Sequence, residues 1–410
     1  MLQVRAPGGR IAAITDGRVP DTTRPPLPTA TQPPAGCRHP AAAITSTAYH
    51  VDREGRSNAH GPTPVTLPIP ELSERLSRYL ATRDGTPTQV TGIVRIPGGA
   101  SRETYRLTVT QGGVARGMIL RRDPESSLID TDRATEFNAY AAAFRSGVIP
   151  VPEPLVLEED KRHLDQPFTL MAEITGCQTA INALPEAQRG KVGLQKWTLL
   201  GKLAALDVEQ IGIVAHMPSP ALDACWKREV DYWAGVIRKD ALHPQPIAEA
   251  AVRWLERHPP PPAQKLSLVH GDYRSGNFLF DPNGDIKGVL DWEMSHLGDP
   301  LEDLAWSLDP LWSWPDTHLA GKLLPRLEAI RIFEAASGLR VDLDVFRWWE
   351  VFASLKAVGI WISSTEDFHN GKSKEPILAI AGWLMTDRQN RILIDRLAPN
   401  SKHLYTERLS

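Results

Sequence analysis

From about Pro68 the hydrophobic positions fall into clear periods, and before it they do not. Leu72, Leu76 and Leu80 recur at helical spacing with Tyr79 beside them, so Ile69 to Thr82 is predicted as an amphipathic helix. Val90 to Ile96 is rich in β-branched residues, Thr104 to Thr110 alternates Tyr105, Leu107 and Val109, and Gly117 to Arg121 follows the Gly112-Gly113 turn. Strand, turn, strand, turn, strand reads as an antiparallel meander. Asp132 to Ser146 predicts a helix with Phe137, Tyr140, Ala141 and Phe144 on one face, ended by Pro150, Pro152 and Pro154. Leu155 to Glu158 and Phe168 to Ile174 are further strands.

After Gly176 the helical period takes over. It runs through Leu194 to Asp207, through Cys225 to Lys239 with Trp226, Val230, Trp233 and Ile237, and through Val345 to Ile362. Between the second and third of these, Pro259 to Pro262 predicts an extended linker. Leu266 to Val269 predicts a short buried strand, and Phe278 to Phe280 with Ile286 to Asp291 a strand pair joined at Asp281-Pro282-Asn283-Gly284. The expected organisation is α+β: a small antiparallel β lobe over residues 67–175 and a larger, mainly helical lobe over 176–410. Residues 1–66 cluster prolines without a lasting apolar period, so they are expected to be a disordered extension.

Charge and cysteine content narrow the function. A formal net charge of −3 offers no electrostatic case for nucleic acid or an anionic membrane. Three widely separated cysteines, Cys37, Cys177 and Cys225, give neither a disulfide framework nor a cysteine-rich zinc site. No apolar run approaches the roughly eighteen residues that span a bilayer. The expectation is a soluble, cytoplasmic protein.

The chemistry concentrates in Val269-His270-Gly271-Asp272-Tyr273-Arg274-Ser275-Gly276-Asn277, followed by Val289-Leu290-Asp291-Trp292-Glu293. Phosphoryl transfer from ATP needs a carboxylate to orient the acceptor hydroxyl and oxygen ligands for the metal on the phosphates. Asp272, Asn277 and Asp291 supply all three, and such ligands suit Mg²⁺. Taken singly, each reads equally well as a loop cap or a strand end; the spacing of the set carries the inference.

These two motifs resemble the signature pair of the aminoglycoside phosphotransferase and choline kinase superfamily, which shares the protein-kinase fold. The run Leu290 to Glu293 through Gly298-Asp299-Pro300-Leu301-Glu302-Asp303-Leu304-Ala305-Trp306 is similar to the branch found fused to acyl-CoA dehydrogenases. The resemblance covers roughly residues 68–395 and implies a bilobal protein-kinase-like fold using ATP and Mg²⁺. It implies Asp272 as catalytic base, Asn277 and Asp291 as metal ligands, and His270 and Glu293 as supporting residues. Gly98, Gly99, Ala100 and Ser101 occupy the nucleotide-loop position. Arg121 stands where many kinases place a phosphate-gripping lysine, with Glu136 as its ion-pair partner. Ala172 and Ile174 take the hinge position, where backbone groups would bind adenine. Asp299 and Asp303 are expected to be structural, as helix caps, and Trp312 and Trp314 to flank an acceptor pocket. The partners implied are ATP and a small hydroxylated acceptor, a hydroxy metabolite or hydroxyacyl thioester before an aminoglycoside or choline. Glu366, Asp367 and Glu375 are matched by Lys372 and Lys374, so charge alone does not choose among them. The competing class is a regulatory nucleotide-binding pseudokinase, with Arg121 in the lysine position as its argument.

Overall fold

The computed structural model describes residues 67–96, 103–123, 133–315, 317–372 and 376–398. The extension 1–66, the loop Gly98 to Ser101, Lys374 and Glu375 lie outside the described residues.

The small lobe runs α1 (Ile69–Asp84), β1 (Thr88–Ile96), β2 (Glu103–Gln111), β3 (Val114–Arg122), α2 (Arg133–Ser146), β4 (Pro154–Glu158) and β5 (Phe168–Ala172). Its strands form one antiparallel sheet in the order β1-β2-β3-β5-β4. Alternation in β2 and β3 puts Tyr105, Leu107, Val109, Met118 and Leu120 on one face, where they bury against Leu72, Leu76 and Leu80 of α1. The β2–β3 hairpin turns on Gly112 and Gly113, both at positive φ (56° and 84°), a conformation that glycine adopts without a Cβ penalty. Strand β3 lies between β2 and β5, so Arg121 sits in mid-sheet between Thr104 and Thr169.

The large lobe comprises α3 (Glu186–Ala205), α4 (Cys225–Asp240), α5 (Pro246–Arg257), β6 (Ser267–Val269), β7 (Phe278–Phe280), β8 (Ile286–Val289), β9 (His296–Gly298), α6 (Leu301–Ser307), α7 (Arg326–Ser337), α8 (Leu343–His369), α9 (Pro376–Ile380) and α10 (Thr386–Leu397). Helix α8 buries Trp348, Trp349, Val351, Phe352, Ala353, Leu355, Ala357 and Val358, side chains from all round its axis, and so forms the lobe's central rod. The ladders β6·β9 and β7·β8 frame the segments 270–277 and 290–295 between them.

The α+β, two-part architecture is the one read from the sequence, and the differences have local causes. Strand β5 ends at Ala172 rather than Ile174, and β8 at Val289, because the chain turns sharply at Asp291. Helix α3 begins at Glu186, after Pro185, rather than at Leu194, which is 54% exposed and does not start the apolar face. Helix α5, which precedes the Pro259–Pro262 linker, and the short strand β9 were not anticipated. The α5 core contacts come from alanines as much as from large residues (Ala248, Ala251, Val252, Leu255). Among the described residues no helix is long and apolar enough to cross a membrane.

Candidate active site

Strand β6 delivers His270, Gly271 and Asp272 into a loop whose backbone is pinned from behind. Both carboxylate oxygens of Asp303, on α6, accept from this loop: His270 N–H at 2.6 Å and Gly271 N–H at 2.9 Å. Asp299 instead accepts from Leu301 N–H at 2.9 Å in the turn ahead of α6, whose N-cap position is Pro300, so neither aspartate is the helix cap expected from the sequence. His270 is fully buried, and burial lowers its pKa despite the nearby carboxylates Asp303 and Asp272, so the ring is neutral. In the tautomer its partners require, Nε2–H donates to Leu290 O at 2.9 Å and Nδ1 accepts from Asp272 N–H at 3.1 Å. One side chain thus ties the Asp272 loop to the strand end that leads into Asp291.

The Asp272 carboxylate is held by three donors. Trp306 Nε1–H reaches Oδ1 at 2.8 Å, while Asn277 Nδ2 and Arg274 Nε reach Oδ2 at 2.8 and 3.0 Å. Asn277 spends its amide nitrogen on Asp272 (also on its carbonyl, at 2.9 Å), which leaves its side-chain oxygen as the atom open to a cation. Asp291, whose side chain is 33% exposed, lies in the left-handed region at φ 69°, sparsely populated for a non-glycine residue. Its N–H donates to Tyr140 Oη at 2.8 Å, and its Oδ1 meets Arg121 at 3.1 Å. Burial acts to raise the Asp291 carboxyl, but Arg121 and Arg274 outweigh it and hold the group below the usual range. Two hard oxygen donors, one anionic, fit the Mg²⁺ that accompanies ATP in such sites.

Arg121 reaches from β3 to Glu136 on α2 and to Asp291, with Glu293 Oε2 at 4.0 Å. Burial disfavours its charge, but Glu136 and Asp291 more than compensate, so the guanidinium is firmly protonated. The structure therefore brings Asp272, Asn277, Asp291, Arg121, Glu136, His270 and Glu293 to one place. Ala172 and Ile174 stand to one side, where the chain leaves the sheet. Ala172 N–H donates to Glu153 O at 2.9 Å, and Ile174 lies over Gly288 of β8, where an added Cβ would come within 2.9 Å of its Cδ1. Trp312 lies under Arg274, ring centroid to guanidinium carbon 5.5 Å, and Trp314 under Arg388.

Sequence reasoning missed Arg274, Trp306, Tyr140 and the clamp role of Asp303; only Arg274 carried a local signal, its place inside the loop motif. It also missed a cavity of about 280 Å³ beside the loop. Its walls include Arg228, Glu229 and Trp233 from α4, Glu293, Met294 and His296 after Asp291, and Lys356 from α8. Glu229, His296 and Glu302 bring possible ligand atoms within 4.8 Å of one another, but a protonated His296 and the Lys356 ammonium already neutralise those carboxylates. Burial works against the His296 charge, yet Glu229 and Glu302 lift its pKa to about 9.

Lys196 of α3 was also unforeseen: it is 1% exposed, its Nζ 3.2 Å from Ser275 Oγ and ringed by Trp197, Tyr273 and Phe278. Burial pushes its pKa from 10.5 down to about 7, against the pull of Asp272. Between those values the unfolded chain carries a proton that the folded one lacks, so this residue makes stability rise with pH across that window. In urea melts the stability of the wild type minus that of Lys196→Met should therefore grow from pH 7 to pH 10. A pH-independent difference would show that the amine is charged when folded.

A five-stranded antiparallel sheet closing on a helical lobe, with this carboxylate loop at the junction, defines a kinase-like phosphotransferase fold. The chain belongs to the phosphotransferase enzyme family, whose model matches residues 92–338. It is 30% identical over 307 residues to human acyl-CoA dehydrogenase family member 11, covering 70% of this chain and 37% of that protein. Mouse acyl-CoA dehydrogenase family member 10 is 30% identical over 260 residues, 60% of this chain and 23% of its own length. The chain thus spans well under half of these relatives. Among solved structures, a candidate aminoglycoside phosphotransferase of Ralstonia eutropha superposes with a TM-score of 0.61 at 19% identity, over 79% of this chain and 97% of that one. A thermostable mutant of aminoglycoside phosphotransferase APH(4)-Ia, in ternary complex with AMP-PNP and hygromycin B, gives 0.53 at 18% identity over 79% and 99%.

Proposed function

We propose that this protein transfers the γ-phosphoryl group of MgATP to a hydroxyl of a small organic molecule. The observation that carries the reading is the convergence of Asp272, Asn277, Asp291 and the Arg121–Glu136 pair on one site at the junction of sheet and helices. In this reading Asp272 orients the acceptor hydroxyl and takes its proton on a carboxylate oxygen as the acceptor O–P bond forms and the bond from the γ-phosphorus to the bridging oxygen breaks, releasing ADP. Trp306, Asn277 and Arg274 fix that carboxylate's direction beforehand, so little reorganisation remains at the moment of transfer. Arg121, held by Glu136, contacts the nucleotide phosphates, and Ala172 O and Ile174 N–H bind the adenine edge. Asn277 and Asp291 would hold Mg²⁺, which supplies neutralisation of the phosphate charge.

The acceptor enters the cavity beside Met294. Its walls carry Arg228, His296 and Lys356 with Glu229 and Glu293, and the buried Glu302 behind them pairs with His296 and Lys356, so the cavity is not acidic. A polycationic aminoglycoside or a cationic amino alcohol calls for an acidic pocket, so a neutral or anionic hydroxy metabolite, a hydroxyacyl thioester among them, is the favoured class. Lys372 pairs with Glu366 and Asp367 at 2.6 and 3.2 Å, which offsets part of the charge of the other acidic cluster.

ADP release measured with and without Mg²⁺, across a panel of hydroxylated metabolites, aminoglycosides and choline, tests the reading. Metal-dependent turnover stimulated by a non-cationic acceptor is expected. Tight nucleotide binding with no turnover on any acceptor would instead establish the regulatory pseudokinase.

A further inference from the structure

Behind the catalytic loop five residues close a ring of contacts. Lys356, 1% exposed, donates from Nζ to Gly271 O at 2.6 Å and to Glu302 Oε1 at 2.9 Å. The other oxygen of Glu302 accepts from His296 Nε2–H at 3.1 Å. His296 Nδ1–H in turn donates to Met294 O at 3.1 Å. That same carbonyl packs on Gly271, so closely that a Cβ there would lie 2.3 Å from it. Gly271 has φ 85°, and its N–H is held by Asp303. The peptide between Gly271 and Asp272 is therefore held at its carbonyl by Lys356 and at its N–H by His270 Nδ1, while Asp303 holds the peptide before it.

No step of the phosphoryl transfer proposed above uses Lys356, Glu302 or His296, yet Lys356, His296 and Met294 also line the cavity. A buried ion pair is weak evidence for stability, because apolar residues of similar volume serve a core as well or better. What this one does, and an apolar pair would not, is hold a carbonyl oxygen with a directed charge one peptide away from Asp272.

We propose that Lys356, Glu302 and His296 are positioning residues for phosphoryl transfer, aiming Asp272 through the Gly271 peptide and tying that aim to the wall of the acceptor cavity. The proposal rests on Asp272 being the base, as proposed above. Lys356 acts directly on Gly271 O. Glu302 fixes the ammonium, and the faces of Trp306 and Trp233, centroids 5.2 and 5.7 Å from Nζ, leave it little other freedom. His296 completes the ring as a cation using both ring nitrogens as donors. The groups facing it are Glu229 on α4, Glu302 on α6 and Lys356 on α8, and Arg228 pairs with the same oxygen of Glu229. A ligand that draws on His296 from the cavity therefore alters the partner of Glu302, hence of Lys356, hence of Gly271.

The test uses the full chain and three readouts: Mg²⁺-dependent ATP hydrolysis with water as acceptor, AMP-PNP affinity by calorimetry, and thermal midpoint. Lys356→Met alone would strand the Glu302 charge, so the main variant combines Lys356→Met with Glu302→Gln, a neutral pair of similar shape. The expected result is a fall in kcat of about 10- to 100-fold, the range a misplaced catalytic group produces, with AMP-PNP affinity within about twofold of wild type. His296→Gln should lower kcat less, by about three- to tenfold, and should remove an alkaline limb of the kcat–pH profile near pH 9. A folded double variant with wild-type kcat would overturn the proposal, as would parallel losses of rate and nucleotide affinity, which mark general disruption. A wild-type chain that binds AMP-PNP but hydrolyses nothing would overturn the base assignment and this proposal together. Wild-type turnover with an indifferent double variant would overturn this proposal alone.

Discussion

Asp272→Asn is expected to cut phosphoryl transfer per folded molecule by about 10²- to 10⁴-fold, or about 3–5 kcal/mol in activation free energy. Asparagine keeps the size of the side chain but cannot take the acceptor's proton. The structure adds a second cost. Oδ1 of Asp272 accepts from Trp306 and Oδ2 from Asn277 and Arg274, so an amide NH₂ in either orientation faces a donor. A buried donor set against a donor costs about 1–3 kcal/mol, so a modest fall in thermal midpoint should accompany the loss of rate. MgATP affinity should stay within about threefold, because Asp272 acts on the acceptor and Asn277 bonds it through Nδ2, not through the oxygen proposed for Mg²⁺. Rate, nucleotide affinity and melting temperature measured on one preparation separate the two costs. A folded variant that retains more than about a tenth of the wild-type rate would remove Asp272 as the base.

The second large effect is expected at Asp291, and Asn is again the informative replacement. Asparagine tolerates the left-handed backbone at φ 69° and keeps the N–H that bonds Tyr140, so the change removes charge with little strain. Loss of the carboxylate takes away the anionic member of the proposed metal pair and leaves Arg121 with Glu136 and Glu293. Turnover should fall at least about 100-fold, and the gain in nucleotide affinity on adding Mg²⁺ should largely vanish. Calorimetry with AMP-PNP, with and without Mg²⁺, reads the second effect without any turnover. An unchanged Mg²⁺ dependence would place the metal elsewhere.

What the sequence made legible was whatever lies close together along the chain. His270, Asp272 and Asn277 fall within eight residues, and the structure sets the Asn277 amide against the Asp272 carboxylate. The meander of β1 to β3 was equally plain, because alternation and the Gly112-Gly113 turn are local properties. The groups that discipline the site were not legible, because they arrive from far away. Asp303 is 33 residues beyond His270, Trp306 is 34 beyond Asp272, and Lys356 is 85 beyond Gly271. In one dimension each reads as an ordinary helical residue, and only packing of α6 and α8 behind the loop gives it a role. The cavity was hidden for the same reason: its walls come from α4, the segment after Asp291, and α8.

Tyr140 stands one helical turn beyond Glu136 on α2, so the helix carries both the anchor of Arg121 and the hydroxyl that accepts from Asp291 N–H. The two attachments share one rigid lever. An outward stroke of α2 cannot release the guanidinium while leaving Asp291 undisturbed, because the same displacement strips the Tyr140 hydroxyl from a backbone held at a costly angle. Switching by a swinging helix would here unlatch both ends of the site at once, so that Arg121 and Asp291 would be assembled or released in a single movement.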